Sequence, residues 1–358
     1  MKKTVLFFVL VAVVVFSVIT GCKKNSPTTP AASNTPNYTQ TYIALFTHTI
    51  TPTRTVSPTT TATSTITMTP TSTSTTDYSV LVSVPGGIFT QPDGTNNFNH
   101  TISVFKIGKY LVTYGLWYTV CQWAVGNGYS FANAGTEGCC GSTGLAPTAA
   151  KFQPVTDVNW RDTIVWCNAY SQMSGLTPAY CSDASFITPV KISSSVGGID
   201  TAPGSVDNPY VNWTANGFRL PTEGEYQYAA SYVNGSSWLP YDYASGATDN
   251  YTDAMATGLV AWYSDNCNST QAVGGKTPNA LGIYDMSGNV WEACWDWYGS
   301  YPTTVQTNYR GSASGSYRVL RGGGYDGTTY AMQVGERLNI SPWSNTYLDA
   351  GFRFARTY

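Results

Sequence analysis

Histidine is nearly missing from this chain: His48 and His100 are the only two in 358 residues. That excludes a three-histidine metal centre and leaves little room for a histidine-based proton relay. Charge is scarce as well. Asp, Glu, Lys and Arg together make up 11% of the sequence, against about 25% in ordinary soluble domains. Eighteen basic and 20 acidic side chains leave a net charge of −2. No basic field exists to hold nucleic acid, and no nucleic-acid partner is expected. No acidic residue precedes Asp77 and no cysteine follows Cys294. A repeat at the period of about 20–50 residues that marks solenoids and propellers is absent. What is plentiful is aromatic or small: 26 Tyr, 11 Trp, 13 Phe and 34 Gly, with 42% of residues apolar. A chain this aromatic can bury a core and is not disordered as a whole. Its low charge and its wealth of Tyr, Trp, Gly, Ser and Thr point to an extracytoplasmic protein.

Met1 to Cys22 has the layout of an export signal. Lys2 and Lys3 precede a run from Val5 to Ile19 that is apolar apart from Ser17, short for a membrane span. It ends Val18-Ile19-Thr20-Gly21-Cys22, which resembles the lipobox of bacterial lipoproteins. The resemblance implies cleavage, acylation of Cys22, and a protein anchored by lipid to the bacterial envelope, on its outer surface, without spanning the membrane. The other reading is an uncleaved signal anchor stopped by Lys23 and Lys24. From Lys23 to Thr76, 33 of 54 residues are Ser, Thr or Pro, a composition that cannot bury a core and reads as a disordered tether. Composition breaks at Asp77, and residues 78–358 carry 13 basic and 19 acidic side chains, a balance of −6. The expected organisation is therefore signal peptide 1–22, tether 23–77 and folded domain 78–358.

Regular secondary structure in the folded part reads as sparse. Thr113 can cap a helix with Trp117, Val120, Cys121 and Ala124 on one face. Asn159 can cap another that aligns Trp160, Ile164, Cys167 and Tyr170. Thr222 and Glu225 form a capping box, because hydroxyl and carboxylate can each take the other's amide proton. Val80–Val84, Ile102–Ile107 and Val319–Arg321 are short strand candidates. Trp291, Trp295 and Trp297 fall on one side of a further strand-like pattern and read as core.

Several segments together resemble a known family. They are Val84–Phe89 (VPGGIF), Lys109–Thr113 (KYLVT), Pro154–Trp160 (PVTDVNW), Gly217–Ala230 (GFRLPTEGEYQYAA) and Pro278–Glu292 (PNALGIYDMSGNVWE), followed by Arg321–Tyr325 (RGGGY) and Gly351–Arg353 (GFR). In this order they are similar to the formylglycine-generating enzyme, or sulfatase-modifying factor, domain, from about Val80 to the C-terminus. The resemblance implies an α+β, C-type-lectin-like fold with a small antiparallel sheet, few helices and much ordered loop.

Enzymes of that family oxidise a substrate cysteine with oxygen and with copper held by two thiolates, ligands soft enough to select Cu(I). Those cysteines lie six and eleven residues past the arginine of the Arg-Gly-Gly motif. Counted from Arg321, these positions hold Gly327 and Met332. The catalytic pair is missing, no copper is expected, and no catalytic residue is assigned. With Cys22 acylated, seven cysteines remain: Cys121, Cys139, Cys140, Cys167, Cys181, Cys267 and Cys294. Cys121 and Cys167 read as small buried hydrophobes on helix faces. Adjacent, glycine-flanked Cys139 and Cys140 could be a redox or metal element.

The same resemblance places a structural calcium on Asp285, Gly288, Val290 and Glu292, two carboxylates and two carbonyls on one tight loop. The alternative is structural, with Glu292 paired to Arg321 or Arg353 and Asp285 capping a turn. Glu223 and Glu225 are better explained by helix capping than as a catalytic carboxylate pair. Between the Arg-Gly-Gly strand and the final Gly-Phe-Arg, the chain is rich in Tyr, Trp, Ser, Asn and Gly, the vocabulary of adaptable binding loops. That region resembles the variable region of retroelement-diversified proteins, a treponemal surface lipoprotein on this same domain among them. The resemblance implies that Tyr325, Asp326, Thr328, Tyr330, Asn339, Ser341, Trp343, Asn345, Thr346 and Tyr347 contact ligand. The expected function is a non-catalytic, surface-displayed lipoprotein that binds a protein or glycan. The alternative is an oxidoreductase of the formylglycine-generating type that works through non-standard cysteines.

Overall fold

The computed structural model describes residues 76–92, 97–344 and 348–358. Cys22, the signal segment and all of the tether up to Thr75 lie outside the described residues, as do Asn345, Thr346 and Tyr347. Thr76–Tyr358 forms one compact unit. It opens with β1 (Leu81–Val84), β2 (Gly87–Pro92), β3 (Asn97–Ile102) and β4 (Phe105–Gly108), then α1 (Tyr114–Val125). Two-residue strands β5 (Thr136–Glu137) and β6 (Val155–Thr156) lead to α2 (Trp160–Met173). β7 (Tyr180–Cys181), β8 (Tyr210–Val211), α3 (Glu223–Ser231) and α4 (Ala254–Val260) follow. The last part holds β9 (Trp291–Trp297), β10 (Gln306–Thr307), β11 (Arg318–Arg321), a 3-10 turn at Thr329–Met332, β12 (Arg337–Ile340), β13 (Ala350–Gly351) and β14 (Ala355–Thr357).

These strands form small sheets rather than one large one. β1-β4-β14 and β10-β3-β2 have three strands each, β12-β11-β9-β13 has four, and β5-β6 and β7-β8 are ribbons. The chain is α+β, with much ordered loop between short elements. Ile102–Ile107 is not one strand: Ile102 ends β3 and Phe105 begins β4. β3 and β4 pair in different sheets, so the chain turns at Ser103 and Val104.

All three expected helix starts are present. Leu116 N donates to Thr113 Oγ1 at 3.2 Å. Asn159 and Asp162 exchange side-chain and backbone bonds at 2.9 and 3.1 Å, and Thr222 and Glu225 do the same at 3.1 and 2.9 Å. Such caps are worth about 1 kcal/mol each. α4, capped by Asp253 through Met255 N and Ala256 N, is too short to show a period in the sequence. α2 departs from the amphipathic expectation, since its residues are buried from Trp160 through Ser171. Its charged groups find partners internally: Arg161 pairs with Asp207 at 2.6 and 2.7 Å, and Asp162 accepts a hydrogen bond from Asn133 at 2.7 Å.

The main core lies between α1, α2 and the C-terminal strands. Trp117 and Trp166 stack with an interplanar angle of 5°, and Phe352 stands edge-on to both. Each such pair adds about 0.5–1.5 kcal/mol beyond burial. β9 carries the expected tryptophan face, with Trp291 and Trp297 buried. Trp295 and Trp297, with Trp160 of α2, cage an arginine. The Arg318 guanidinium lies 3.8 Å from the Trp160 ring centre and 3.5 Å from that of Trp297, donating to the carbonyls of Trp295 and Asp207.

Candidate functional site at the C-terminal face

β11 is buried along its length and delivers the chain into the motif Arg321-Gly322-Gly323-Gly324. Arg321 anchors it by donating to Gln227 Oε1 at 2.6 Å and Tyr301 Oη at 2.9 Å, with Glu223 3.0 Å away. Gly322 and Gly323 have φ of 93° and 80°. A Cβ on Gly323 would fall 2.4 Å from Met332 Cε and 2.5 Å from the Ala331 carbonyl oxygen, so only glycine fits this turn. Beyond it the chain emerges. Tyr325 N donates to the Asn289 carbonyl at 2.9 Å and Ser264 N to the Gly327 carbonyl at 3.0 Å, which fixes the loop from both sides.

On that loop Asp326, Thr328 and Tyr330 are exposed, while Tyr325 is half-buried. Tyr330 stands edge-on to Tyr251 at 5.6 Å, an aromatic neighbour that gave no signal in the sequence. Asn339 is exposed on β12, and Ser341 and Trp343 are half-buried. Their backbone runs against the start of α2: Arg161 N donates to the Pro342 carbonyl at 3.3 Å, and Asn159 Nδ2 to that of Trp343 at 3.4 Å. Asp349, absent from the expected set, returns beside Asp326. Burial first, and the Asp326 carboxyl second, push the Asp349 carboxyl up to about 6. The Asp349 carboxyl therefore takes up its proton in mildly acid solution rather than near the usual carboxylate range.

Neither of the two positions where the family enzymes carry copper ligands holds a thiol: Gly327 is half-buried and Met332 buried. Met332 is fully buried among Ala244, Ala247, Val260, Ala261 and Tyr263. Its methyl carbon lies 3.4 Å from where a Gly327 Cβ would be. The seven described cysteines are all thiols. Burial pushes those of Cys121, Cys167 and Cys294 well up, so they are inert as nucleophiles or ligands. Cys121 is only partly buried, not a full member of its helix's apolar stripe. Cys139 lies under Tyr325: burial first, then the neighbouring Cys139 and a side-chain hydrogen bond with it, raise the Tyr325 phenol. Cys267 Sγ reaches the Tyr325 carbonyl at 3.8 Å.

Asp285, Gly288 and Val290 lie on one buried loop and Glu292 at the start of β9 just beyond it, but the two carboxylates are committed. Arg353 takes both Glu292 oxygens, Nε to Oε2 at 2.5 Å and NH2 to Oε1 at 2.7 Å. Tyr226 Oη adds a bond to Oε1 at 2.9 Å. The remaining Arg353 donors reach the carbonyls of Gly108, Tyr284 and Asp285. Asp285 Oδ2 accepts from Gly274 N at 2.7 Å. A guanidinium thus stands on the carboxylate that a calcium ion would need, and this arrangement does not fit one. The pairing of Glu292 with Arg353 is the structural alternative read from the sequence. Glu223 does more than cap. It accepts from Arg337 Nε and NH2, both at 2.7 Å, and from Tyr301 at 3.1 Å. Among the described residues no three His, Cys, Asp or Glu side chains converge as a metal site.

Comparisons with known proteins agree with this architecture. The sequence profile of the sulfatase-modifying factor enzyme 1-like domain matches residues 67–358. The chain is 33% identical to "Chaperone protein LppX" of Paenibacillus barcinonensis over 260 residues, 68% of this chain and 80% of that protein. It is 32% identical to the formylglycine-generating enzyme of Streptomyces coelicolor over 160 residues, 41% of this chain and 48% of the enzyme. Among solved structures, Treponema denticola variable protein 1 superposes with a TM-score of 0.62 at 31% identity, covering 78% of this chain and 95% of that one.

Proposed function

The chain belongs to the sulfatase-modifying factor enzyme 1-like family, and from that premise we propose that it is a binding member of the family, not a catalytic one. In this reading it is a lipoprotein of the bacterial envelope, anchored through Cys22 and displayed on the outer surface. It holds a protein or glycan ligand with Tyr325, Asp326, Thr328, Tyr330, Asn339, Ser341, Trp343, Asn345, Thr346 and Tyr347. The observation that carries the proposal is that Gly327 and Met332 put no thiol at either position. Where the family enzymes need two thiolates, this chain packs a methionine methyl against a glycine, and a thioether beside an alkyl surface cannot build the two-thiolate copper site. Directly above, the loop presents exposed Tyr330 and short polar side chains, a pairing that gives rigid contact area with adaptable hydrogen bonding. Likeness to a protein named as variable and to one named as a chaperone supports a binding role. Both retain the scaffold over most of their length.

A second reading, oxidation of a substrate cysteine through non-standard cysteines, has one place to stand: Cys139, with Cys140 and Cys267 around Tyr325. One experiment separates the two. The full chain is incubated with Cu(I), a thiol reductant, oxygen and a cysteine-containing sulfatase peptide, and the peptide is weighed by mass spectrometry. The expected result is an unchanged thiol peptide, while appearance of formylglycine overturns the binding proposal. In parallel the chain is screened on glycan and protein arrays. Tyr330→Ala and Trp343→Ala are expected to weaken any specific ligand at least tenfold, about 1.4 kcal/mol. A ligand indifferent to both substitutions places the binding surface elsewhere.

A further inference from the structure

The hairpin that carries Cys139 and Cys140 is built more tightly than a surface loop requires. Its arms are β5 and the return through Thr143. Glu137 N donates to the Ser142 carbonyl and Gly144 N to the Gly135 carbonyl, both at 2.9 Å, and the Thr136 and Thr143 hydroxyls share a bond of 2.8 Å. The tip, Gly138-Cys139-Cys140-Gly141, is pinned from outside. Gly138 N reaches the Pro154 carbonyl at 3.1 Å, Thr156 Oγ1 the Gly138 carbonyl at 2.8 Å, and Cys139 N the Thr270 hydroxyl at 2.8 Å. A Cβ on Gly141 would fall 2.1 Å from the Glu137 carbonyl oxygen, so the turn needs glycine there. Within this frame the two thiols face each other, with Cys139 Sγ and Cys140 Sγ 2.8 Å apart. That is closer than non-bonded sulfurs ordinarily come, and within about 1 Å of the ~2.05 Å of a disulfide. Cys140 is exposed and Cys139 buried. The buried one shares a hydrogen bond with Tyr325.

We propose that Cys139 and Cys140 form a redox-active vicinal dithiol, closed to an intraresidue-pair disulfide by thiol–disulfide exchange with a small-molecule or protein disulfide. The exposed Cys140 thiolate attacks one sulfur of the incoming disulfide, whose S–S bond breaks to give a mixed disulfide and a first free thiol. The Cys139 thiolate then attacks Cys140 Sγ and expels the second. Two protons and two electrons pass from the pair to the two departing thiols, so the exchange balances without metal or oxygen. Adjacent Cα atoms are ~3.8 Å apart, below the ~4.4–6.8 Å spanned by ordinary disulfides. The closed ring is therefore strained and readily reduced, a reversible element rather than a staple. Closure takes the Cys139 sulfur, the hydrogen-bond partner of the Tyr325 side chain, into the ring, which couples the oxidation state to the first residue of the exposed C-terminal loop. The chemistry stands apart from the binding proposal, but the coupling to a ligand face rests on it.

The test uses the full chain in oxidised and reduced glutathione mixtures of graded ratio, followed by iodoacetamide, proteolysis and mass spectrometry. Under oxidising mixtures the peptide containing Cys139 and Cys140 is expected to lose both alkylation sites and to be lighter by two hydrogens, and to regain both sites in reduced glutathione. Phenylarsine oxide, which bridges paired thiols, is expected to block both sites in one step on the reduced chain. Any of three outcomes overturns the proposal: two alkylated cysteines under every mixture, a persistent glutathione adduct on Cys140 without ring closure, or a bridge from either cysteine to Cys267. Cys140→Ser keeps the hairpin glycines and is expected to abolish the loss at Cys139. Tyr325→Phe separates the coupling from the chemistry, since it should leave disulfide formation in place. If ring closure occurs and the arrays yield no ligand, the binding proposal fails while the dithiol stands.

Discussion

Replacing Arg353 with methionine is the most direct test of how this scaffold is held. Arg353 and Glu292 are both fully buried, joined by bonds of 2.5 and 2.7 Å. Methionine preserves most of the side-chain volume but leaves the Glu292 carboxylate with Tyr226 as its remaining partner in a dry interior. Breaking a buried pair in this way costs about 3–5 kcal/mol, because the surviving charge cannot be resolvated. At about 2–4 °C per kcal/mol for a unit of roughly this size, the melting temperature is expected to fall by about 6–20 °C. Tryptophan fluorescence of the full chain during thermal and urea unfolding reads both quantities. The double change Glu292→Leu with Arg353→Met removes both charges, and is expected to recover most of the loss. A single-variant cost below about 1 kcal/mol, or a double variant no better than the single one, refutes the reasoning. Calcium supplies a further arm. If added calcium raises the melting temperature of the unaltered chain, the ion displaces or bypasses Arg353, and the argument that the guanidinium occupies its place is wrong.

Two other perturbations probe the interior. His100 is buried, accepts from Tyr309 N through Nε2 at 2.6 Å, and therefore donates through Nδ1 to Gln91 Oε1 at 3.2 Å. Burial pushes it down to about 4 from 6.5, so the unfolded chain takes up its proton first. Its contribution is full above pH ~6.5 and is lost as pH falls toward ~4, by about 3 kcal/mol in total. His100→Gln is expected to flatten that slope in urea titrations between these pH values, and an unchanged slope assigns it to other groups. Gly288 has φ of 83°, and a Cβ there would lie 2.4 Å from the Trp262 carbonyl oxygen. Gly288→Ala is thus expected to cost at least about 2 kcal/mol, and a neutral result in the same unfolding assay means that this loop yields where the geometry says it cannot.

What could be read from the sequence follows physical range. Caps at Thr113, Asn159 and Thr222 were legible because a cap is a contact between residues three apart, and nothing distant can cancel it. The turn at Ser103 and Val104 was not, because Ile102 and Phe105 are each good strand residues and only the choice of sheet separates them. The sequence showed one apolar face of α2, Trp160, Ile164, Cys167 and Tyr170, but not that Asp207 and Asn133 arrive from remote loops to meet Arg161 and Asp162 in the interior. The Tyr-, Ser- and Asn-rich composition of the C-terminal loop was visible in the sequence, while Tyr251, Asp349 and Cys139 reach Tyr330, Asp326 and Tyr325 from elsewhere in the chain. No local pattern encodes such neighbours.

The motifs that reveal the family belong to its framework and not to its chemistry. Arg321 of the Arg-Gly-Gly strand is spent on Gln227, Tyr301 and Glu223, Arg353 on Glu292, and Arg219 on Glu225. Arg321 and Arg353 tie C-terminal segments to distant elements, Arg219 joins the preceding loop to α3, and each is buried where a lost partner is costly. The positions that would decide catalysis lie past the end of that framework, at Gly327 and Met332, where the chain has left β11 and no ion pair depends on the residue chosen. The arginine pairs therefore do not depend on whether these two positions hold cysteine, and the fold forms here with Gly327 and Met332 in their place. The exposed Asp326, Thr328 and Tyr330 likewise stand on a backbone held through Asn289 and Ser264, outside the arginine pairs and the glycine turn.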